Sequence, residues 1–130
     1  MSPLLRLAIL AALAAPIAFA GCGGDDDPAA AGVRAPNAVV MSDYEFHPRE
    51  LQVRRDESVT VLNEGGTAHN LTIERGPDPT RETDELAGTD SFLKGDSEVL
   101  RLNLPPGRYA MVCTVPGHRE LGMTGTLGVR

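Results

Sequence analysis

From residue 38 onward, apolar and polar positions alternate in runs too short for helices. Ala38-Val39-Val40-Met41 is apolar, and Leu51-Gln52-Val53, Val59-Thr60-Val61-Leu62-Asn63 and Leu71-Thr72-Ile73-Glu74 alternate. Val99-Leu100-Arg101-Leu102-Asn103-Leu104 puts Leu100, Leu102 and Leu104 on one face. Tyr109-Ala110-Met111-Val112-Cys113 does the same for Tyr109, Met111 and Cys113, and Gly125-Thr126-Leu127-Gly128-Val129 closes the series. Period-two alternation broken by Gly, Pro, Asp and Asn predicts short antiparallel strands. Two such sheets face to face make an all-β sandwich of about seven to eight strands. Glu64-Gly65-Gly66-Thr67 and Pro105-Pro106-Gly107 carry turn chemistry. The stretch from Arg75 to Asp96 is long, polar and acidic, and holds Pro77, Pro79 and Gly88. It reads as a connection across one edge of the sandwich, with room for one helical turn over Thr83 to Ala87.

The first 21 residues have a different pattern. One positive charge, Arg6, precedes an apolar Ala- and Leu-rich run from Leu7 to Ala20. That run is short for a membrane span and fits the apolar region of a secretory signal followed by small residues. Phe19-Ala20-Gly21-Cys22 resembles the lipobox of bacterial lipoproteins, with Phe where Leu is usual. In that family the Cys is lipidated and becomes the mature N-terminus. Residues 22–36 include Gly23-Gly24-Asp25-Asp26-Asp27 and show no periodicity, as expected of a flexible tether. The expected organisation is a signal peptide over 1–21, a lipid-anchored tether over 22–36 and one folded domain over 37–130. The protein is then expected outside the cytoplasm, held on the periplasmic side or at the cell surface through Cys22.

Charge narrows the partners. The net charge is −6 over 130 residues, and losing Arg6 with the leader takes it to about −7. An acidic chain of this size is a poor nucleic-acid binder. Export would also leave Cys113 as a lone thiol in an oxidising compartment, a liability unless something occupies it.

The chemistry concentrates in Cys113-Thr114-Val115-Pro116-Gly117-His118-Arg119-Glu120-Leu121-Gly122-Met123. Cys, His and Met stand five residues apart in turn. On a helix that spacing places them about 140° apart, and Val115-Pro116-Gly117 would break a helix. The segment is therefore a loop between two strands, able to curl three side chains toward one point. Pro116-Gly117 suits the centre of a type II turn, where Gly supplies positive φ. Of the three His residues, His69 opens an alternating strand and His118 sits in the loop, whereas His47 precedes Pro48 and has no partner spacing. Two imidazoles, a thiolate and a weak thioether form the donor set of a type 1 copper site.

Cys113-x₄-His118-x₄-Met123 with an upstream His69-Asn70 resembles the cupredoxin family, which includes plastocyanin, azurin and rusticyanin. The loop is similar in length to that of rusticyanin, and the resemblance covers roughly Asn37 to Arg130. It implies a Greek-key β-sandwich holding one copper at one end. It implies His69, Cys113 and His118 as equatorial ligands and Met123 as the axial ligand. Asn70 would donate its backbone N–H to the Cys sulfur and tie the two ligand segments together with its side chain. The edge of His118 would be the port for electrons. The implied role is a monomeric shuttle of single electrons between redox proteins, such as a c-type cytochrome or a membrane oxidase or reductase.

Three His residues are too few for the additional copper sites of a multicopper oxidase or nitrite reductase. One Cys in the loop is too few for a binuclear site. Four protein donors leave no open position for a substrate, so an enzyme is not expected. Two other roles remain: a copper carrier or sensor without a redox task, and a metal-free sandwich lipoprotein that binds another protein.

Overall fold

A computed structural model describes residues 36–130, so the leader, most of the tether and Cys22 lie outside the described residues. Alternation becomes strand wherever one face can be buried. In Ser58–Asn63, Val59, Val61 and Asn63 are buried while Thr60 and Leu62 are half-buried. In Glu50–Val53, Leu51 and Val53 point inward and Glu50 and Gln52 outward.

Nine strands form among the described residues. They are β1 (Ala38–Ser42), β2 (Glu45–His47), β3 (Glu50–Val53), β4 (Ser58–Asn63), β5 (Thr72–Glu74), β6 (Glu85–Gly88), β7 (Ser97–Arg101), β8 (Gly107–Val112) and β9 (Thr124–Val129). One sheet has the order β2-β1-β4-β7 and the other β3-β9-β8-β5-β6. Val39, Met41, Phe46, Val59 and Val61 of the first sheet and Leu51, Ile73, Met111 and Leu127 of the second belong to one buried cluster. Each such side chain contributes about 1.5–3 kcal/mol of transfer free energy. This is the expected all-β sandwich.

Three details differ from the expectation. The strand count is nine because the short β2 and β6 join the seven that alternation marks. The segment Thr83 to Ala87 makes no helical turn. Glu85-Leu86-Ala87-Gly88 instead pairs with β5, at Thr72↔Gly88, Ile73↔Ala87 and Glu74↔Glu85, with a bulge between Ile73 and Glu74. Without β6 the edge of β5 would leave its backbone groups unpaired, and that demand outweighs the helix propensity of Glu, Leu and Ala. The sheets are also mixed rather than purely antiparallel. β1 runs parallel to β4 and β3 parallel to β9. The chain passes from β1 and β2 in one sheet to β3 in the other, then returns with β4 beside β1, so neighbours in a sheet need not be neighbours in sequence.

Candidate metal centre

The candidate site lies where the β8–β9 loop meets the segment before β5. Asn63, at the end of β4, is fully buried and its side chain shapes that segment. Its Nδ2 donates to the carbonyls of Thr67 (3.0 Å) and Phe92 (2.7 Å), and its Oδ1 accepts from the Gly65 N–H (2.8 Å). With the turn pinned, His69 pairs its backbone with Phe92, donating to the Phe92 carbonyl at 3.3 Å and accepting from the Phe92 N–H at 3.1 Å. The His69 ring is completely buried.

The β8–β9 loop is closed by its own backbone. His118 N–H donates to the Val115 carbonyl (3.0 Å) across Pro116-Gly117, and Gly117 has φ +86°, as the predicted type II turn requires. Leu121 N–H donates to Gly117, Gly122 N–H to Arg119 and Met123 N–H to His118. Cys113 N–H then donates to the Met123 carbonyl at 3.1 Å, joining the two ends.

These frames bring three donors together. His69 Nδ1 lies 3.1 Å from His118 Nδ1, which lies 3.5 Å from Cys113 Sγ. All three donor atoms fall within 4.8 Å of one another, and all three residues are buried. Met123, equally buried, stands nearby, bonded through its backbone to both His118 and Cys113. His47 stays on the exposed surface, bonded to Ser42 Oγ at 3.0 Å, and takes no part.

Asn70 links the two segments through its side chain. Its Nδ2 donates to Thr114 Oγ1 (2.7 Å) and its Oδ1 accepts from the Thr114 N–H (2.8 Å). Burial pushes the Cys113 thiol up, and the backbone N–H groups of Asn70 and Val115 directed at the sulfur oppose that. Burial, helped by the nearby His69 ring, lowers the His118 imidazole, and the Asp43 carboxylate acts in the other direction.

Some neighbours of the site carried no chemical signal in the sequence. Asp43 and Tyr44 form the turn between β1 and β2, in the opposite sheet from β5 and β8. Asp43 Oδ1 accepts from His69 Nε2 at 2.8 Å, and its carboxylate also accepts from the Gly66 N–H at 2.9–3.0 Å. The hydrogen bond from His69, followed by that from Gly66, holds the Asp43 carboxyl below its ordinary value. Tyr44 has φ +69° and sets its ring edge-on to His118, with centroids 4.9 Å apart. On the other side, Arg119 and Glu74 form a salt bridge in which Glu74 is almost completely buried. Asp43 lies between two apolar runs with no spacing to a candidate donor, and Arg119 follows the candidate donor His118 without any spacing pattern.

The donor chemistry fits copper. A cysteine sulfur and two imidazole nitrogens meet at one buried point, a set that suits a metal stable in both a soft and a borderline oxidation state. Among the described residues, no buried side-chain nitrogen or oxygen lacks a partner, and the ring hydrogen bonds of His118 run through Nδ1 alone. Of the three donor residues, His118 alone keeps any exposed surface, 8%, against 0% for His69 and Cys113.

Comparison with known proteins agrees. Residues 34–130 match the family model described as copper binding proteins, plastocyanin/azurin family. A chloroplast plastocyanin of Physcomitrium patens is 29% identical over 85 residues, which are 65% of this chain and 49% of the plastocyanin. The chain thus spans about half the length of that relative. The copper-resistant cuproprotein CopI of Rubrivivax gelatinosus is 29% identical over 161 aligned positions, covering 98% of each chain. Among solved structures, a reduced auracyanin of Roseiflexus castenholzii superposes with TM-score 0.63 at 23% identity, covering 72% of this chain and 94% of that one. Auracyanin B gives TM-score 0.60 at 27% identity, covering 72% and 86%. The donor geometry and the family match together support one copper per chain.

Proposed function

Because the chain belongs to the plastocyanin/azurin family of copper-binding proteins, we propose that it is a carrier of single electrons outside the cytoplasm. His69, Cys113 and His118 would be the close ligands, with Met123 the weak axial one. The observation that carries this reading is the buried His-Cys-His cluster, in which His118 alone retains some exposed surface. Copper, when bound there, supplies a one-electron couple.

The chain's part is to hold the donors still. Cys113 and Met123 are tied by a backbone hydrogen bond, and His69 is fixed by the Phe92 bridge. Asn70 locks the two ligand segments to each other. Donors that do not move between oxidation states keep the barrier to electron exchange low. Burial keeps water from the sulfur, and the His118 edge offers a short path to a partner. With Met123 as fourth donor no position is left for a substrate, so the reading is a carrier and not an enzyme.

The partner would be a c-type cytochrome or a membrane oxidase or reductase, met by a monomer through a small, weakly held interface. A cleft of about 400 Å³ beside the ligand loop is lined by Glu74, Glu82, Glu85 and Glu120, with Arg119 offsetting Glu74. That charge favours a basic partner surface. A secretory leader and lipidation of Cys22 would place the domain at a membrane on the periplasmic side or at the cell surface. Growth with labelled palmitate checks that part: the label should enter the wild type and not Cys22→Ser.

The direct test is to add one equivalent of Cu(II) and record visible absorption, EPR and cyclic voltammetry, then mix the reduced protein with oxidised c-type cytochrome. A strong thiolate-to-copper charge-transfer band, narrow hyperfine splitting, a reversible couple and rapid exchange are expected. A colourless protein, or a blue one that exchanges no electrons with any redox protein, would count against the carrier role. The relative named as a copper-resistant cuproprotein favours a second reading, in which the chain handles copper under copper stress. That reading expects a deletion strain to be copper-sensitive while its respiratory rate is unchanged.

A further inference from the structure

We infer that Asp43 is a positioning residue for the metal centre: its carboxylate, reaching across from the other sheet, holds His69 by Nε2 and biases bound copper toward Cu(II). The inference rests on the reading that His69 ligates copper through Nδ1.

An ionised carboxylate only accepts hydrogen bonds, so the 2.8 Å contact requires the proton on Nε2 of His69. In the neutral ring, Nδ1 then carries the lone pair, and Nδ1 is the nitrogen that stands 3.1 Å from His118 Nδ1. Asp43 thus selects the tautomer that can ligate. It also fixes the ring about its long axis, because Nε2 and Nδ1 lie on opposite sides. A negative charge on the far nitrogen makes the near nitrogen a stronger donor. The stronger donor stabilises the more highly charged Cu(II) more than Cu(I), so the reduction potential falls.

Three further observations show that the contact is built. Asp43 is itself held by the Gly66 N–H, at 3.0 Å to Oδ1 and 2.9 Å to Oδ2, so its carboxylate does not swing freely. Thr67 Oγ1 approaches both partners, at 3.4 Å from Asp43 Oδ1 and 3.4 Å from His69 Nε2. Gly65 packs against the pair so closely that a Cβ there would stand 2.5 Å from His69 Nε2 and 2.7 Å from Asp43 Oδ1. That space has no room for any other residue.

Two variants separate charge from contact. Asp43→Asn keeps an acceptor for His69 and Gly66 but removes the charge. Gly65→Ala keeps the charge and forces the pair apart. Loss of such a partner weakens metal binding about 10–100-fold, and the low end applies here because Asp43 is 42% exposed. The expected result in both is about a tenfold greater loss for Cu(II) than for Cu(I), read as a rise in potential of about 59 mV. Glu45→Gln, which removes a charge from the same hairpin and bonds Arg49 rather than His69, should leave the potential in place.

A second readout needs no copper. In the metal-free protein, NMR of ¹⁵N-labelled histidine should show His69 as the Nε2–H form, with that proton slow to exchange in the wild type and fast in Gly65→Ala. Copper-loaded Asp43→Asn and Gly65→Ala with the potential of the wild type would overturn the inference and leave Asp43 as a brace for the turn. Finding the Nδ1–H form of His69 in the metal-free wild type would overturn it too. A wild type without the charge-transfer band would instead refute the copper ligation, and the NMR result would still decide what Asp43 does.

Discussion

Arg119 stands next to His118, and its removal offers the sharpest energetic test of the loop. Its Nη2 donates to Glu74 Oε1, and its Nη1 donates to Glu74 Oε2 (3.2 Å) and to the Pro79 carbonyl (3.3 Å). The Glu74 side chain is 4% exposed and that of Arg119 18%. Replacing Arg119 by Leu leaves Glu74 buried without its cation, a loss of about 3–5 kcal/mol for a fully buried pair. Thr83 N–H still donates to Glu74 Oε2 at 3.3 Å and Arg119 is partly solvated, so the low end, about 3 kcal/mol, applies. For a domain of this size each kcal/mol moves Tm by about 4–8 °C, which makes the expected fall roughly 12–24 °C. The double variant Glu74→Leu/Arg119→Leu removes the stranded charge and should regain at least half of that. Thermal unfolding followed by circular dichroism at low and high salt is the assay, because a buried pair keeps its effect when salt screens exposed ones. A single variant melting within about 2 °C of the wild type would mean an exposed pair worth under about 0.5 kcal/mol, refuting the argument.

Further outcomes can be checked on the same protein. Asn70→Ala strands the Thr114 N–H and should cost about 1–3 kcal/mol by urea unfolding, with a broadened charge-transfer band as the ligand segments loosen. Met123→Leu conserves volume, so stability should change by less than about 1.5 kcal/mol; the blue colour should persist and the potential rise, because the thioether no longer supports Cu(II). A potential that falls would remove Met123 from the axial position. The metal-free protein should lose stability at both ends of the pH scale. Folding lowers His118, so the unfolded chain binds that proton more readily, and stability drops as pH falls through the ordinary imidazole value of about 6.5. Folding raises Cys113, so the unfolded chain releases that proton more readily, and stability drops as pH rises past the ordinary thiol value of about 8.5. Unfolding midpoints measured from pH 4 to 10 test both slopes, and a flat profile would contradict them.

Residues close in sequence were legible, and residues joined only by the fold were not. Pro116-Gly117 announced its turn because one residue type supplies positive φ, and Gly117 has φ +86°. Cys113 and His118 lie in one loop whose length limits where they can go, and His69 was a candidate because so few imidazoles compete. Leu100, Leu102 and Leu104 were marked as one face and all are buried. Asp43 could not be found that way, because its partner lies 26 residues on, in the segment that leads into the other sheet. Glu74 and Arg119 are 45 residues apart and look like ordinary surface charges until the sheet brings them together. The segment 85–88 has helix-favouring residues and becomes a strand only because β5 needs a neighbour. The parallel pairs β1–β4 and β3–β9 likewise depend on where the chain changes sheets, which alternation does not encode.

The ligand loop is fastened at its base by the Cys113–Met123 backbone bond, directly above the last sheet pair, Val112 with Thr124. Between those two points the loop is stitched to itself by short-range backbone bonds, while Thr114 and Arg119 tie it to Asn70 and Glu74. Residues can therefore be inserted between Arg119 and Met123 without shifting the register of β8 on β9. Lengthening such a loop adds only about 0.6 kcal/mol per doubling in closure entropy. For descendants of this gene, the exposed tip of the loop is a segment that selection can rewrite cheaply while the sandwich is inherited unchanged. Divergence among relatives should then collect at residues 120 and 121, which are exposed, with far less at Arg119 and in the strands beneath.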